Sequence, residues 1–253
     1  MSANSLNSPA LINRIASVSS DPKVFWGGDA IPAYTADAPG QWLIQKGLHE
    51  SIASHVKIFN VHGNHDITAK NDKNSSQGYT MSKDGVKDCF IGAMSTDIVR
   101  NSLDEIGLYY YYDQTSAKVR YIVMDLYENY TGENIPWGVT SGVSDTQMEW
   151  IFNEAVLNAP EGYKLFFLMH NSVGFYRNDP MYKNLYQTLL ALSSHGTSQS
   201  YDFSTREDLS LLMVLGGHAH HDMQIGLGGV FYVQTASDAC YEDFKRSPFA
   251  DSS

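Results

Sequence analysis

Four short apolar runs, at residues 24–26, 56–59, 165–169 and 211–215, each break into a turn that carries a carboxylate, an amide or an imidazole. The turns read Gly27-Gly28-Asp29, Val61-His62-Gly63-Asn64-His65-Asp66, His170-Asn171-Ser172 and Gly216-Gly217-His218-Ala219-His220-His221-Asp222. Runs this short and this apolar predict strands buried on both faces. Where helices alternate with such strands, the sheet is parallel, and side chains just past the strand ends gather at one edge. Open α/β sheets bind their ligands there.

Helices do alternate with these runs. Ser8 and Pro9 read as an N-cap and first helical position, with Leu11, Ile12, Ile15 and Val18 following at helical spacing. Ile44, Leu48 and Ile52 mark a second amphipathic helix from Gln41, so strand, helix and strand imply a parallel crossover. Ser144 with Gln147 fits a capping box ahead of Met148, Ile151, Phe152, Ala155 and Val156. Asp179 and Pro180 open a helix whose buried side is Leu185, Leu189 and Leu192, with His195 as its C-terminal cap. Residues 109–112 and 119–124 predict a hairpin with the tyrosine run on the sheet surface; residues 223–225 and 230–234 predict another around Gly228-Gly229. Between 67 and 107 the pattern dissolves into polar residues, which predicts a long loop with one short helix near 98–103.

The residues at the turns suit a metal. Asp29, Asn64, His170, His218 and His220 offer carboxylate and amide oxygens with imidazole nitrogens, a mixed set that fits zinc, iron or manganese rather than calcium. His65 can trade protons near neutral pH, and Asp66 can hold its ring in one orientation. Asp125, at the end of the 119–124 run, is a weaker candidate, and His62 is expected to pack beneath the motif. His49 and His55 read as surface or structural residues. Arg177 could meet a phosphate, and Trp26, Tyr34, Trp137, Phe175 and Tyr176 could stack a base, although each equally suits core or loop packing.

Composition narrows the partners. A net charge of −11 argues against a broad basic surface for nucleic-acid backbones, so a small anionic substrate needs a cation to receive it. No apolar run approaches membrane-spanning length, and residues 1–8 lack the apolar core of a signal peptide. Cys89 and Cys240 have no metal-like spacing and imply no disulfide framework, which leaves the cytoplasm as the default compartment. A length of 253 residues fits one α/β domain.

At these turns the sequence resembles the calcineurin-like metallophosphoesterases. Their ordered pattern is Asp-x-His, Gly-Asp, Gly-Asn-His-Asp or Glu, a single His, and Gly-His-x-His. Gly28-Asp29, Gly63 to Asp66, His170 and Gly217 to His220 match the last four parts in order. The resemblance implies a four-layered β-sandwich flanked by helices, in place of the single doubly wound sheet that pattern alone suggests. It implies two divalent transition metals, with Asp29 bridging, Asn64, His170 and His218 completing one shell, and His220 in the other. It also implies that His65, oriented by Asp66, acts on the phosphate and the departing oxygen of a small phosphorylated substrate, a phosphomonoester or phosphodiester.

No Asp-x-His precedes Gly28-Asp29. By the resemblance, that gap removes a first strand and two metal ligands, so residues 1–253 read as a single phosphoesterase domain truncated at its N-terminus. One tightly bound metal and weak hydrolysis follow. The competing expectation is a catalytically degenerate member that binds a ligand or partner through the same cleft.

Overall fold

The computed structural model describes residues 8–30, 38–52, 54–64, 66, 85, 87, 90, 97–104, 107–128, 142–198, 200–219 and 221–235. Helix α1 (Ser8–Ala16) leads into strand β1 (Lys23–Trp26), helix α2 (Ala38–Glu50) and strand β2 (Lys57–Asn60). β1 and β2 pair in parallel, with Val24 opposite Ile58, as the intervening helix requires. The remaining strands are β3 (Val99–Arg100), β4 (Tyr110–Gln114), β5 (Val119–Val123), β6 (Lys164–Leu168), β7 (Ser210–Gly216), β8 (Met223–Leu227) and β9 (Val230–Gln234). They form a seven-stranded sheet in the order β3-β4-β5-β6-β7-β9-β8. β5, β6, β7 and β9 run parallel, and antiparallel β3-β4 and β8 flank them. Helix α3 (Asp145–Glu149, continuing as a π-helix over Trp150–Leu157) lies between β5 and β6, and α4 (Pro180–Ser193) between β6 and β7.

Neighbouring side chains on a strand point to opposite faces, and both faces of both sheets are used. Phe59 and Val61 pack with Tyr110, Val123 and Leu168 in the layer between the sheets. Ile58 turns the other way, to Val24, Ile52, Val56 and the α1 residues Ile12 and Ala16. On the far side, Ile122, Leu165, Phe167 and Val214 meet Ile151, Phe152, Val156, Leu185 and Leu189 of α3 and α4. The layers therefore run helices, two-stranded sheet, seven-stranded sheet, helices. This is the helix-flanked sandwich, and the four strands that carry the candidate ligands are divided between its two sheets: β1 and β2 in one, β6 and β7 in the other.

The starts of α3 and α4 follow the sequence, whereas α2 begins at Ala38, three residues ahead of the expected Gln41. Asp179 accepts from the Met181 N–H ahead of α4, and His195, at φ 51, turns the chain out of it. At α3 Ser144 accepts from the Gln147 N–H at 3.0 Å. The reciprocal arm of the box comes from elsewhere: Glu128 takes the Ser144 N–H at 2.9 Å, because the Gln147 side chain is drawn inward to Asp125 and Glu128.

Two expectations need correction. Residues 98–103 are not a helix; Val99 and Arg100 pair antiparallel with Tyr111 and Tyr110. Leu103, 93% exposed, offers no apolar face that a helix there could bury. The tyrosine run is not simply sheet surface either. Tyr109 and Tyr110 are buried, Tyr110 donates to the Asn60 carbonyl across the sheets at 2.9 Å, and Tyr112 packs on Phe59.

His49 on α2 is a buried residue, not a surface one. Its ring stands edge-on to Trp26, 4.9 Å between centroids, and its Nε2 lies 3.1 Å from the Gln45 amide. Burial lowers its pKa from 6.5 to about 4. Above pH 6.5 the ring is neutral folded or unfolded; between 6.5 and 4 only the unfolded chain takes the proton. Stability is therefore full above pH 6.5 and falls as the pH drops toward 4, by about 2–3 kcal/mol from this group. Urea denaturation of His49→Leu across that window should show a shallower acid slope than the unchanged chain; an identical slope contradicts the assignment.

Candidate metal centre

The parallel ladders continue past the strand ends and bring four loops together. Val61 donates to the Trp26 carbonyl at 3.0 Å beyond β1 and β2. Met169 donates to Leu215 at 3.0 Å and Gly217 to His170 at 2.7 Å beyond β6 and β7. Glycine is needed for this approach. A Cβ on Gly63 would lie 2.2 Å from the Asp29 nitrogen, and one on Gly217 would lie 2.6 Å from the Gly27 oxygen. Gly28, at φ +95, would press a Cβ to 2.3 Å from His170 Nδ1. Asp29 itself adopts φ 54, a conformation that short polar side chains tolerate best and that gathers at functional sites.

Asp29, Asn64, His170 and His218 meet at this edge. His170 Nδ1 lies 2.6 Å from the Gly27 carbonyl, which can only accept, so Nδ1 carries the hydrogen and Nε2 presents a lone pair. That nitrogen is 3.2 Å from Asp29 Oδ2, 3.0 Å from Asn64 Oδ1 and 3.1 Å from His218 Nδ1. Asn64 Oδ1 is also 3.1 Å from His218 Nδ1. Four electron-pair donors thus crowd one point, where a neutral His218 supplies at most one hydrogen. Donors bonded at about 2.1 Å to one transition metal stand about 3.0–3.4 Å apart, so the residues fit such an ion. Burial opposes a charge on His170, but Asp29 and the Gly27 carbonyl hold its pKa above the ordinary value.

Asp66 does something the sequence did not suggest. Its Oδ2 accepts the N–H of Gly63 at 2.7 Å and the N–H of Asp29 at 3.1 Å, tying the loops after β1 and β2 together. The Trp42 indole donates to its carbonyl at 3.0 Å. Burial, then the neighbouring Asp29 charge, raise the Asp66 pKa to about 6 against the opposing pull of His62 and the Gly63 N–H. His65 and His220 lie outside the described residues, as do Tyr34 and Trp137.

The weaker candidates separate cleanly. Asp125 stands outside the group of possible ligands, Asp29 with His170 and His218, found among the described residues. It instead holds His62 at 2.7 Å, both residues 1% exposed, which places His62 beneath the motif as expected. His55 is exposed, its Nε2 3.3 Å from the Ala16 carbonyl. Arg177 donates to the Gly174 carbonyl at 2.9 Å and braces its own loop. Trp26 packs on His49, and Phe175 against the main core. Tyr176 stands beside the centre, its ring 6.0 Å from that of His218. His221 is exposed. Sequence reasoning gave Tyr127 and Asn171 no role and read Gln147 only as part of the capping box; their side chains are hydrogen-bonded behind the centre, Tyr127 to Asn171 and Gln147 to Asp125.

No protein-family model matches the chain, and a search of curated proteins returns no match. Solved structures of similar arrangement include the Thermus thermophilus sulfate thiohydrolase SoxB, in complex with glycerol, at a TM-score of 0.46 and 12% identity over 94% of this chain. The Haemophilus influenzae NAD nucleotidase NadN gives a TM-score of 0.47 and 12% identity over 94% of this chain. The chain covers 38% and 44% of those two proteins. At that distance neither neighbour's activity transfers to it.

The close approach of Gly63 to Asp29 is open to test. Gly63→Ala should destabilise the fold by about 1–3 kcal/mol, the usual cost of overpacking, and weaken metal uptake. Gly47→Ala, where a Cβ meets nothing within 4 Å on helix α2, should stabilise by about 0.5–1 kcal/mol. Thermal melts with chelator, and metal content by plasma mass spectrometry, read both; equal behaviour of the two variants would refute the packing account.

Proposed function

We propose that the chain is a calcineurin-like metallophosphoesterase that hydrolyses a phosphomonoester or phosphodiester. The observation that carries this reading is the His170 Nε2 lone pair, fixed by the Gly27 carbonyl and aimed among Asp29, Asn64 and His218. A divalent manganese, iron or zinc ion held there would supply Lewis acidity toward a phosphoryl oxygen and make water acidic enough to attack as hydroxide near neutral pH.

The chain's own residues prepare the rest. Asp29 and Asn64 contribute oxygens, and His170 and His218 contribute nitrogens, from four loops that glycines allow to touch. Asp66 fixes the peptide that delivers Asn64 and His65. In this reading His65 would protonate or electrostatically stabilise the departing oxygen, and His220, with Asp29, would help to hold a second metal. With a net charge of −11, the protein leaves attraction of an anionic substrate to the bound cation. Small phosphorylated molecules suit that balance better than a nucleic-acid backbone.

In this reading Asp29, Asn64, His170 and His218 form one four-donor shell, so equilibrium dialysis should give about one tightly bound metal per chain. A chromogenic phosphodiester and the corresponding monoester, supplied with manganese, should be hydrolysed slowly, and chelator should abolish that turnover. His170→Ala should lose metal and turnover together. His65→Ala should keep its metal while turnover falls about 10²-fold or more, as for a positioned acid or base. Metal loss in His65→Ala contradicts its role; tight metal binding with no hydrolysis of either ester favours a ligand-binding member.

A further inference from the structure

Among the described residues the loop after β5 supplies no ligand, yet it touches the loops that do. Asp125 Oδ1 accepts from His62 Nδ1 at 2.7 Å, and His62 stands two residues before Asn64. The same oxygen accepts the Tyr127 N–H at 2.9 Å. Tyr127 then donates its hydroxyl to Asn171 Oδ1 at 2.8 Å, and Asn171 directly follows His170. The Tyr127 ring lies edge-on to both imidazoles, 5.8 Å from His62 at 70° and 5.8 Å from His170 at 62°. The arrangement is anchored from behind. Gln147, fully buried on α3, takes the Asp125 N–H on its Oε1 and donates Nε2 to the Asp125 carbonyl, both at 2.9 Å.

His62 belongs to the end of the two-stranded sheet and Asn171 to the end of the seven-stranded one. The separation of Asn64 from His170 therefore depends on how far apart the two sheets hold their loop ends. We infer that the β5 loop is a positioning bridge which sets that separation, Asp125 holding the Asn64 side through His62 and Tyr127 holding the His170 side through Asn171. The inference rests on the metal reading of Asp29, Asn64, His170 and His218. Residues behind metal ligands commonly set the geometry and affinity of the site without touching the ion.

The probe is Co(II), whose visible absorption reports coordination geometry, titrated into the whole chain. Tyr127→Phe removes one hydroxyl and keeps the ring; its Co(II) affinity should fall about 10-fold or more, with a changed absorption envelope. The comparison variant is Tyr109→Phe, which deletes another buried hydroxyl, one that accepts from the Asn101 amide and donates to Asp104, both at 2.9 Å, away from the ligand loops. It should lower the melting temperature without changing Co(II) affinity or spectrum. Asn171→Ala should reproduce the Tyr127→Phe loss, and the double variant should lose little more than either single one, because both cut the same hydrogen bond. If the unchanged chain takes up no Co(II), the metal reading itself fails. If it binds Co(II) and Tyr127→Phe binds it with unaltered affinity and spectrum, the bridge alone is overturned; equal losses in Tyr109→Phe overturn it as well.

Discussion

The hydrogen bond from His170 Nδ1 to the Gly27 carbonyl, 2.6 Å long, is the contact on which the centre depends. It crosses from the end of β6 in the seven-stranded sheet to the end of β1 in the two-stranded one, so it is at once a sheet-to-sheet contact and a choice of tautomer. With Nδ1 committed, Nε2 has no option but to face Asp29, Asn64 and His218. The bond also explains the glycines. Gly28 lies against the imidazole and Gly217 against the Gly27 peptide at distances where any side chain would collide. A hydrophobic layer of Phe59, Val61, Tyr110, Val123 and Leu168 holds the sheets in register behind it.

Charge follows from the same geometry. Asp29, Asp66 and Asp125 approach one region from three loops, with Asp66 and Asp125 essentially out of water. Carboxylates buried together resist ionising unless something positive or hydrogen-bonding compensates them, and the rise in Asp66 records that tension. Asp125 is answered by His62, Asp66 by two backbone N–H groups, and Asp29 by His170. What is left for a cation is the point among Asp29, Asn64, His170 and His218.

The sequence made the ligands legible and their scaffold only partly so. Asp29, Asn64, His170 and His218 could be found because each follows an apolar run and a turn with unmistakable chemistry. Periodicity alone could not assign β1 and β2 to a different sheet from β6 and β7, since a strand buried on both faces reads the same in either architecture; the family resemblance supplied the sandwich. Val99 and Arg100 were misread as helical because a two-residue strand has no period to detect. Gln147 showed only as part of a capping box and Asn171 only as a turn residue, and nothing local in either, or in Tyr127, reveals the partner it reaches. Their importance comes from partners 44, 44 and 22 residues away, which is tertiary information. Asp66 was visible, but its grip on the Asp29 peptide, 37 residues distant, was not.

Metal K-edge X-ray absorption on the chain loaded with one equivalent of zinc or manganese tests the central claim most directly. If Asp29, Asn64, His170 and His218 form one shell, the spectrum shows imidazole scattering from about two histidines with nitrogen and oxygen donors at about 2.0–2.2 Å, and His170→Ala removes one imidazole contribution. A shell of water or carboxylate oxygens without imidazole, or a spectrum unchanged in His170→Ala, would contradict the account.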